Sequence, residues 1–414
     1  MTVPLLAESR FESFLTWFQS IPSVIAPDDT WVLWAVILAG AALAIYLEQT
    51  RRWAAKLSGP VVALLAAMLL ANLKIMPENS PVYDTVEGYL VPVALPLLLF
   101  RANLVRIVKT TGPMFFTFHI STVGTLLGTF LAAAIFWHLL PRVPEISGMM
   151  TGSYIGGSVN FLALKAAFGV EEDLAGALIV ADNFIMAAVF VLLIVISNMK
   201  FFLRRYPHPH SQGGDSAENQ LAAAAHWRPK EIALLDIAKA LGIAVAIAAA
   251  STRLAGVIKE LGPESLLISI VGDRYVLITL FSVLAASLFP RTMEGIRGAD
   301  ELGTYLLYLF FFVIGLPANL VSVVGRVPLM FAFCAAIAAV NLVLTLVVGR
   351  ILRLDLEHLL LCVNATLGGP ATAAAMAIAK GWPRLVLPAV LVGIWGYVIG
   401  TPLGLLVGRV LMLW

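Results

Sequence analysis

Charge is scarce in this 414-residue chain. Asp, Glu, Lys and Arg make up 13% of it and hydrophobic residues 60%, where a soluble domain carries about 25% and about 45–50%. Cysteine is scarcer still. Cys334 and Cys362 both stand in apolar context, so there is no disulfide framework and no metal-ligand spacing. Short segments of alternating polarity are missing, which excludes a transmembrane β-barrel. Residues 1–29 lack the basic start and small-residue cleavage site of a secretory signal. Enzyme signals are missing too: there is no phosphate-binding P-loop, no His-Glu metal motif and no nucleophile elbow. The six histidines fall mostly in a polar linker or near span ends. No adjoining soluble domain is large enough to hydrolyse ATP. The chain is therefore expected to be no enzyme, to need no cofactor beyond a coupling ion, and to take no nucleic acid partner. Many apolar runs exceed the roughly 18 residues needed to cross a bilayer, so the class is an all-α polytopic membrane protein.

Apolar spans are predicted near 31–48, 59–76, 86–104, 113–139 and 173–198, and again near 231–258, 272–289, 302–320, 327–352 and 384–410. Residues 1–30 read as a tail or an interfacial helix, and 199–230 as a flexible polar linker. The first repeat covers 31–198 and the second 231–414. Leu98-Leu99-Phe100-Arg101-Ala102-Asn103-Leu104 matches Ile314-Gly315-Leu316-Pro317-Ala318-Asn319-Leu320, and Gly156-Gly157 matches Gly368-Gly369. Offsets between equivalent positions stay near 212–216, which marks an internal repeat. Each repeat holds one glycine-rich segment before its last span, at 147–169 and 357–381.

Basic residues mark cytoplasmic loops. If both glycine-rich segments are re-entrant hairpins, the clusters at Arg51-Arg52, Arg101 to Lys109, Lys200 to Lys230, Arg291 to Arg297 and Arg350 to Arg353 all fall inside. The N-terminus then lies outside and the linker is cytoplasmic. If the segments are crossing broken helices, the clusters of the two halves fall on opposite sides. Five spans plus a hairpin is an odd number of crossings, so the second repeat is inverted, as in secondary transporters.

At a glycine-rich tip the helix ends expose backbone donors and carbonyls that suit anions and cations respectively. Ser153, Tyr154, Gly156, Gly157, Ser158 and Asn160 on the first tip, with Thr366, Gly368, Gly369 and Thr372 on the second, are the candidate solute-binding residues. The plainer alternative is close helix packing by small residues. Asp182 lies within the apolar span 173–198, where a charge costs at least about 2.5–3.5 kcal/mol. It is the candidate Na⁺ ligand or proton carrier, with Asn183 and Asn364 beside it in the ion-coupling set. The structural alternative pairs it with Lys165 or a backbone donor. Asp182 has no acidic counterpart in Ile394 to Tyr397. Asn103 and Asn319 end their helices and read as caps or ligands. His119 and Asn341 read as satisfied structural groups, and Asp236 with Lys239 as a surface pair.

The order of these features resembles the YjcL family of bacterial membrane proteins, a domain of unknown function. The resemblance rests on Thr151 to Asn160 and on Ala181-Asp182-Asn183, and it covers about residues 30–412. It implies a place beside cation:proton antiporters and sodium-coupled symporters of bile acids and glutamate. That group implies an elevator, with a core of spans 86–139, 173–198, 302–352 and 384–410 plus both hairpins. Spans 31–76 and 231–289 would form the scaffold of a homodimer in the bacterial inner membrane. The leading expectation is a secondary active transporter coupling Na⁺ or H⁺ to a small organic, anionic solute. The alternatives are an inorganic cation:proton antiporter and a non-transporting membrane scaffold or receptor.

Overall fold

The computed structural model describes residues 22–51, 54, 59–212, 231–260, 266–316 and 320–414. The predicted interfacial helix, most of the linker and Asn319 lie outside the described residues. Every long element is a helix: α1 (Thr30–Thr50), α2 (Gly59–Asn72), α3 (Pro81–Leu99), α4 (Leu104–Thr111), α5 (Pro113–Phe136), α6 (Val143–Gly156), α7 (Ser158–Phe168) and α8 (Glu172–Asn198). The second half supplies α9 (Leu234–Glu260), α10 (Arg274–Leu288), α11 (Ala299–Gly315), α12 (Leu320–Ile351), α13 (Leu356–Ala379) and α14 (Pro383–Leu411). Among the described residues there is no strand.

The helix starts follow local chemistry. The Asp29 carboxylate accepts from Val32 N at α1, and Asp273 accepts from Tyr275 N and Val276 N at α10. These side chains satisfy N–H groups that have no partner inside the helix. Ser80 caps α3, whose first residue is Pro81, and this moves the span to 81–99 from the expected 86–104. Its polar first turn was hidden from a reading based on apolar runs. One π-type turn, Val86–Leu90, is inserted in α3. The chain then breaks at Arg101–Asn103, and Asn103 accepts from Arg106 N to open α4, an amphipathic helix that apolarity did not forecast. The span expected at 302–320 ends at Gly315.

Eight of the described helices are long and apolar enough to cross a membrane. This is a multi-pass membrane protein. Only 22% of the residues in the apolar windows of α1 and α9 are buried, against 72% for α13. The first two therefore turn wide apolar faces to lipid, and α13 is enclosed by protein. Around it packs a central group of α5, α6, α8, α12 and α14.

Two of the central contacts are backbone against backbone. Gly148, Gly152 and Gly156 on α6 face Gly404, Gly400 and Gly396 on α14, running antiparallel. A Cβ at Gly148 would sit 2.7 Å from Gly404 O, and one at Gly400 would sit 3.0 Å from Gly152 O. A Cβ at Gly124 on α5 would sit 2.9 Å from the Asn341 Cα on α12, and one at Gly128 would sit 2.8 Å from Ile337 O. Helices in lipid gain little from apolar burial against one another, so dispersion at this close range holds them.

Candidate functional site

The chain reverses direction between α6 and α7. Arg142, just before α6, donates from Nη2 to Phe168 O at 3.0 Å and from Nη1 to Gly169 O at 2.9 Å, at the far end of α7. A Cβ at Gly148 would meet the Phe168 ring at 2.6 Å, so the arms lie side by side. The turn is made at Gly157, with φ 75° and ψ −174°. Such a pair of angles is essentially restricted to glycine. Gly369 adopts φ 77° and ψ −173° inside α13, which it breaks into two arms. Across that break Asn364 Nδ2 donates to Thr372 O at 3.0 Å. Both ends of α13 lie toward the end of α8: Leu356 N donates to Pro207 O at 2.8 Å and Lys380 Nζ to Asn198 Oδ1 at 2.6 Å. Length and composition alone count α13 as a span, but its chain folds back.

The two hairpins therefore start from opposite ends of α8, whose 27 residues measure roughly 40 Å. Their tips meet. A Cβ on Gly157 would lie 4.0 Å from Gly369 Cα and 3.5 Å from Tyr397 Cε1, and one on Gly369 would lie 3.6 Å from the same ring carbon. Tyr397 of α14 thus covers both tips. It was read from sequence only as part of an apolar and aromatic run. Its offset of 215 from Asp182 falls within the repeat, a signal that could have singled it out.

Asp182 stands beside the first tip. Its Oδ2 accepts from Ser153 Oγ at 2.7 Å, and one turn further along α8 the Met186 methyl comes within 2.7 Å of a Cβ placed on Gly368. One turn of α8 thus touches both hairpins. The carboxylate is buried, and its described partners are neutral hydroxyls. The phenol of Tyr154 lies beside this carboxylate as its second hydroxyl neighbour, and next to the thiol of Cys334. The described contacts bring no basic group to this carboxylate.

Lys165 corrects one expectation. It does not pair with Asp182. Its ammonium lies 2.7 Å from Glu87 Oε1, also contacts Glu172, and sits 5.5 Å from the Phe310 ring centroid. Glu87 belongs to the π-type turn of α3. Beside the trio opens a cavity of about 360 Å³ lined by Tyr83, Asp84, Glu87 and Glu172.

The remaining sequence candidates divide. Asn160 is buried and ties α7 to α14: Oδ1 accepts from Thr401 Oγ1 at 2.6 Å, and Nδ2 donates to Gly396 O at 3.5 Å. Ser158 is half-buried at the first tip, and Thr372 donates to Gly369 O at 3.1 Å at the second. A Cβ on Gly156 would strike Asn160 and Gly396, so that glycine serves packing. Asn183 Nδ2 donates back to Ile179 O at 2.9 Å on its own helix. Thr366 belongs to a buried hub that sequence reasoning did not foresee. Asn341 Nδ2 donates to Thr125 Oγ1 at 2.7 Å and Ser121 O at 3.0 Å, and reaches Thr366 Oγ1 at 3.3 Å. Ser121 donates to Asn341 Oδ1 at 2.9 Å, and Thr125 donates to Tyr154 O at 2.9 Å. His119 is satisfied by Phe115 O and by the indole N–H of Trp395.

The "Uncharacterized membrane protein YjcL" of Bacillus subtilis (strain 168) is 46% identical to this chain over 388 residues, covering 94% of this chain and 98% of the relative. Residues 35–413 match the family model described as "Protein of unknown function (DUF819)", and the chain belongs to that family.

Proposed function

We propose that the protein is a secondary active transporter that couples Na⁺ or H⁺ to movement of a small organic, anionic solute. One observation carries the reading. Two glycine tips with matching backbone angles meet beside a buried carboxylate whose described partners are the neutral hydroxyls of Ser153 and Tyr154, with no cation among them. A buried charge without a counter-ion carries a desolvation cost that hydroxyl neighbours offset only in part. A proton on Asp182, or Na⁺ held by hard oxygen ligands, removes that cost. The second arms of both hairpins begin at the tips, and their positive helix ends favour an anion there. A solute and an ion bound within one enclosed site become energetically linked, which is what coupling to a gradient requires.

In this reading the two halves are inverted repeats and the hairpins re-enter the membrane from opposite faces. The hairpins with α3, α4, α5, α8, α11, α12 and α14 form a core that slides against a scaffold of α1, α2, α9 and α10. The chain is a homodimer of a bacterial inner membrane, with the N-terminus outside and the linker cytoplasmic, and it is no enzyme. A cation:proton antiporter is the second reading. It is favoured by the engagement of Lys165 with Glu87 and Glu172, which removes the lysine of the first hairpin as a carboxylate anchor.

Proteoliposomes loaded with the full chain separate these readings. The expected result is uptake of members of a radiolabelled panel of small carboxylates, driven by an inward Na⁺ or H⁺ gradient and abolished in Asp182→Asn. Cation-driven proton release without any carboxylate uptake selects the antiporter. Equal fluxes in wild type and Asp182→Asn reject both.

A further inference from the structure

At the opposite end of α8 from the Lys165 trio, three metal-ligating side chains converge. Asp355 immediately precedes α13, and His358 lies in its first turn. His210 comes from a short 3₁₀ turn, Pro209–Gln212, in the linker between the two halves. One ligand atom from each of the three lies within 4.8 Å of the others. His358 Nδ1 is 3.5 Å from Asp355 Oδ2, and the rings of His210 and His358 have centroids 5.4 Å apart at an interplanar angle of 49°. The tilt leaves the two imidazoles unstacked, so nitrogens from both can point to a common centre.

The linker turn is held in place. His210 N donates to Glu357 Oε1 at 3.1 Å, Leu356 N donates to Pro207 O at 2.8 Å, and Tyr206 Oη donates to Leu346 O at 2.9 Å. Arg350 adds a hydrogen bond to Arg205 O. These contacts join the linker to the end of α12 and the start of α13 on both sides of the cluster. His210 is therefore presented to the hairpin base by a fixed backbone. The Glu357 carboxylate that receives its N–H also supplies negative charge against the positive end of α13.

We propose that His210, Asp355 and His358 form a binding site for a divalent transition-metal ion of the Zn²⁺ type. Two imidazoles with one carboxylate are borderline ligands. They suit Zn²⁺, Co²⁺ and Ni²⁺, whereas Mg²⁺ and Ca²⁺ select all-oxygen sets. Metal–nitrogen bonds of about 2.0–2.1 Å in a tetrahedron place neighbouring donors about 3.3 Å apart. His358 Nδ1 and Asp355 Oδ2 already stand at 3.5 Å, and the three donors, within 4.8 Å of one another, would close by at most about 1.5 Å to reach that spacing. Three protein ligands leave a fourth position for water. The ion would clamp the linker to the base of the second hairpin, a place where metal supply can restrain a moving core.

The test is Co²⁺ titration of the full chain in detergent, with any polyhistidine tag removed, followed by visible absorption and by Zn²⁺ displacement. Saturation at one Co²⁺ per chain, displaced by Zn²⁺ and not by excess Mg²⁺, is expected. His358→Ala and His210→Ala should each weaken binding by more than the about 10–100-fold that loss of an outer-shell partner costs. His208→Ala should leave it unchanged. His210→Ala keeps its backbone hydrogen bond, so it tests the site even if His358→Ala does not fold. Zn²⁺ should raise the melting temperature of wild type and not of His210→Ala. Absence of saturable Co²⁺ absorption, or equal affinity in wild type and His210→Ala, overturns the proposal.

Discussion

The two hairpins share one turn and differ in where charge meets them. Gly157 and Gly369 have matching dihedral angles and touch the same tyrosine ring. Around the first hairpin the fixings are ionic and close-range: Lys165 between two glutamates, and three glycines of α6 laid against three of α14. Near the tip of the second they are neutral: Thr366 in the Asn341 hub, and Asn364 bonded to Thr372 O across the tip. Asp182 sits by the first hairpin through Ser153, and in the described contacts no carboxylate has that place by the second. One backbone design can therefore be specialised, with charge handling on one arm and neutral polar contacts on the other. In lipid a neutral hydrogen-bond hub is the cheaper way to fix a helix, because a charge carries a desolvation cost that a hydroxyl does not.

The comparison breaks most sharply at Lys165. Lys165→Met removes the only cation described between Glu87 and Glu172 and leaves two carboxylates together. Breaking a buried ion pair on one side costs about 3–5 kcal/mol. Here the low end applies, because the glutamates keep about a quarter of their side-chain surface exposed. A loss of about 3 kcal/mol in detergent unfolding is expected, largely restored by adding Glu172→Gln. If the double mutant is no more stable than the single, the charge account of the first hairpin is wrong.

Asn341→Leu probes the neutral side. It deletes donors to Ser121 O and Thr125 Oγ1 and the acceptor for Ser121, all within a buried site. Each orphaned group costs about 1–3 kcal/mol, but Thr125 and Thr366 keep their bonds to Tyr154 O and Val363 O. A loss of about 2 kcal/mol is expected. It should be independent of salt, whereas the Lys165→Met loss should shrink at high ionic strength. Equal salt dependence in the two variants would erase the distinction.

Much of this contrast was legible in the chain. Apolar runs locate most spans to within a few residues, because a membrane helix must be apolar over its whole length. The paired Gly-Gly motifs mark both tips, since only glycine takes their backbone angles. Buried Asp182 stands out because charge is so expensive there. Ser80 and Pro81 hid the true start of α3, and α4 escaped because its amphipathic face is too short to read as a span. The Asn341 hub could not be read, because Ser121, Thr125, Asn341 and Thr366 become neighbours only through helix packing. Lys165 misled for the same reason. Its sequence neighbour is a tip, but its partners Glu87 and Glu172 lie on α3 and at the start of α8.

The smallest expected effect concerns Asp182, and its sign carries the information. Asp182→Asn keeps the size of the side chain and an acceptor for Ser153, and removes a buried charge that has no cation among its described partners. In ion-free buffer the variant should unfold at the same or slightly higher temperature, because replacing an uncompensated charge relieves its burial. Added Na⁺ should separate the two proteins. A ligand at 100 times its dissociation constant stabilises the state that binds it by about 2.7 kcal/mol, and only wild type can gain this if Asp182 supplies the ion's ligand. A Na⁺-dependent rise in wild type that vanishes in Asp182→Asn supports Na⁺ as the coupling ion. A wild type blind to Na⁺ but more stable at low pH than Asp182→Asn assigns the site to a proton. A variant less stable than wild type without any ion shows that the carboxylate is already satisfied, and the ion site then has to be sought elsewhere.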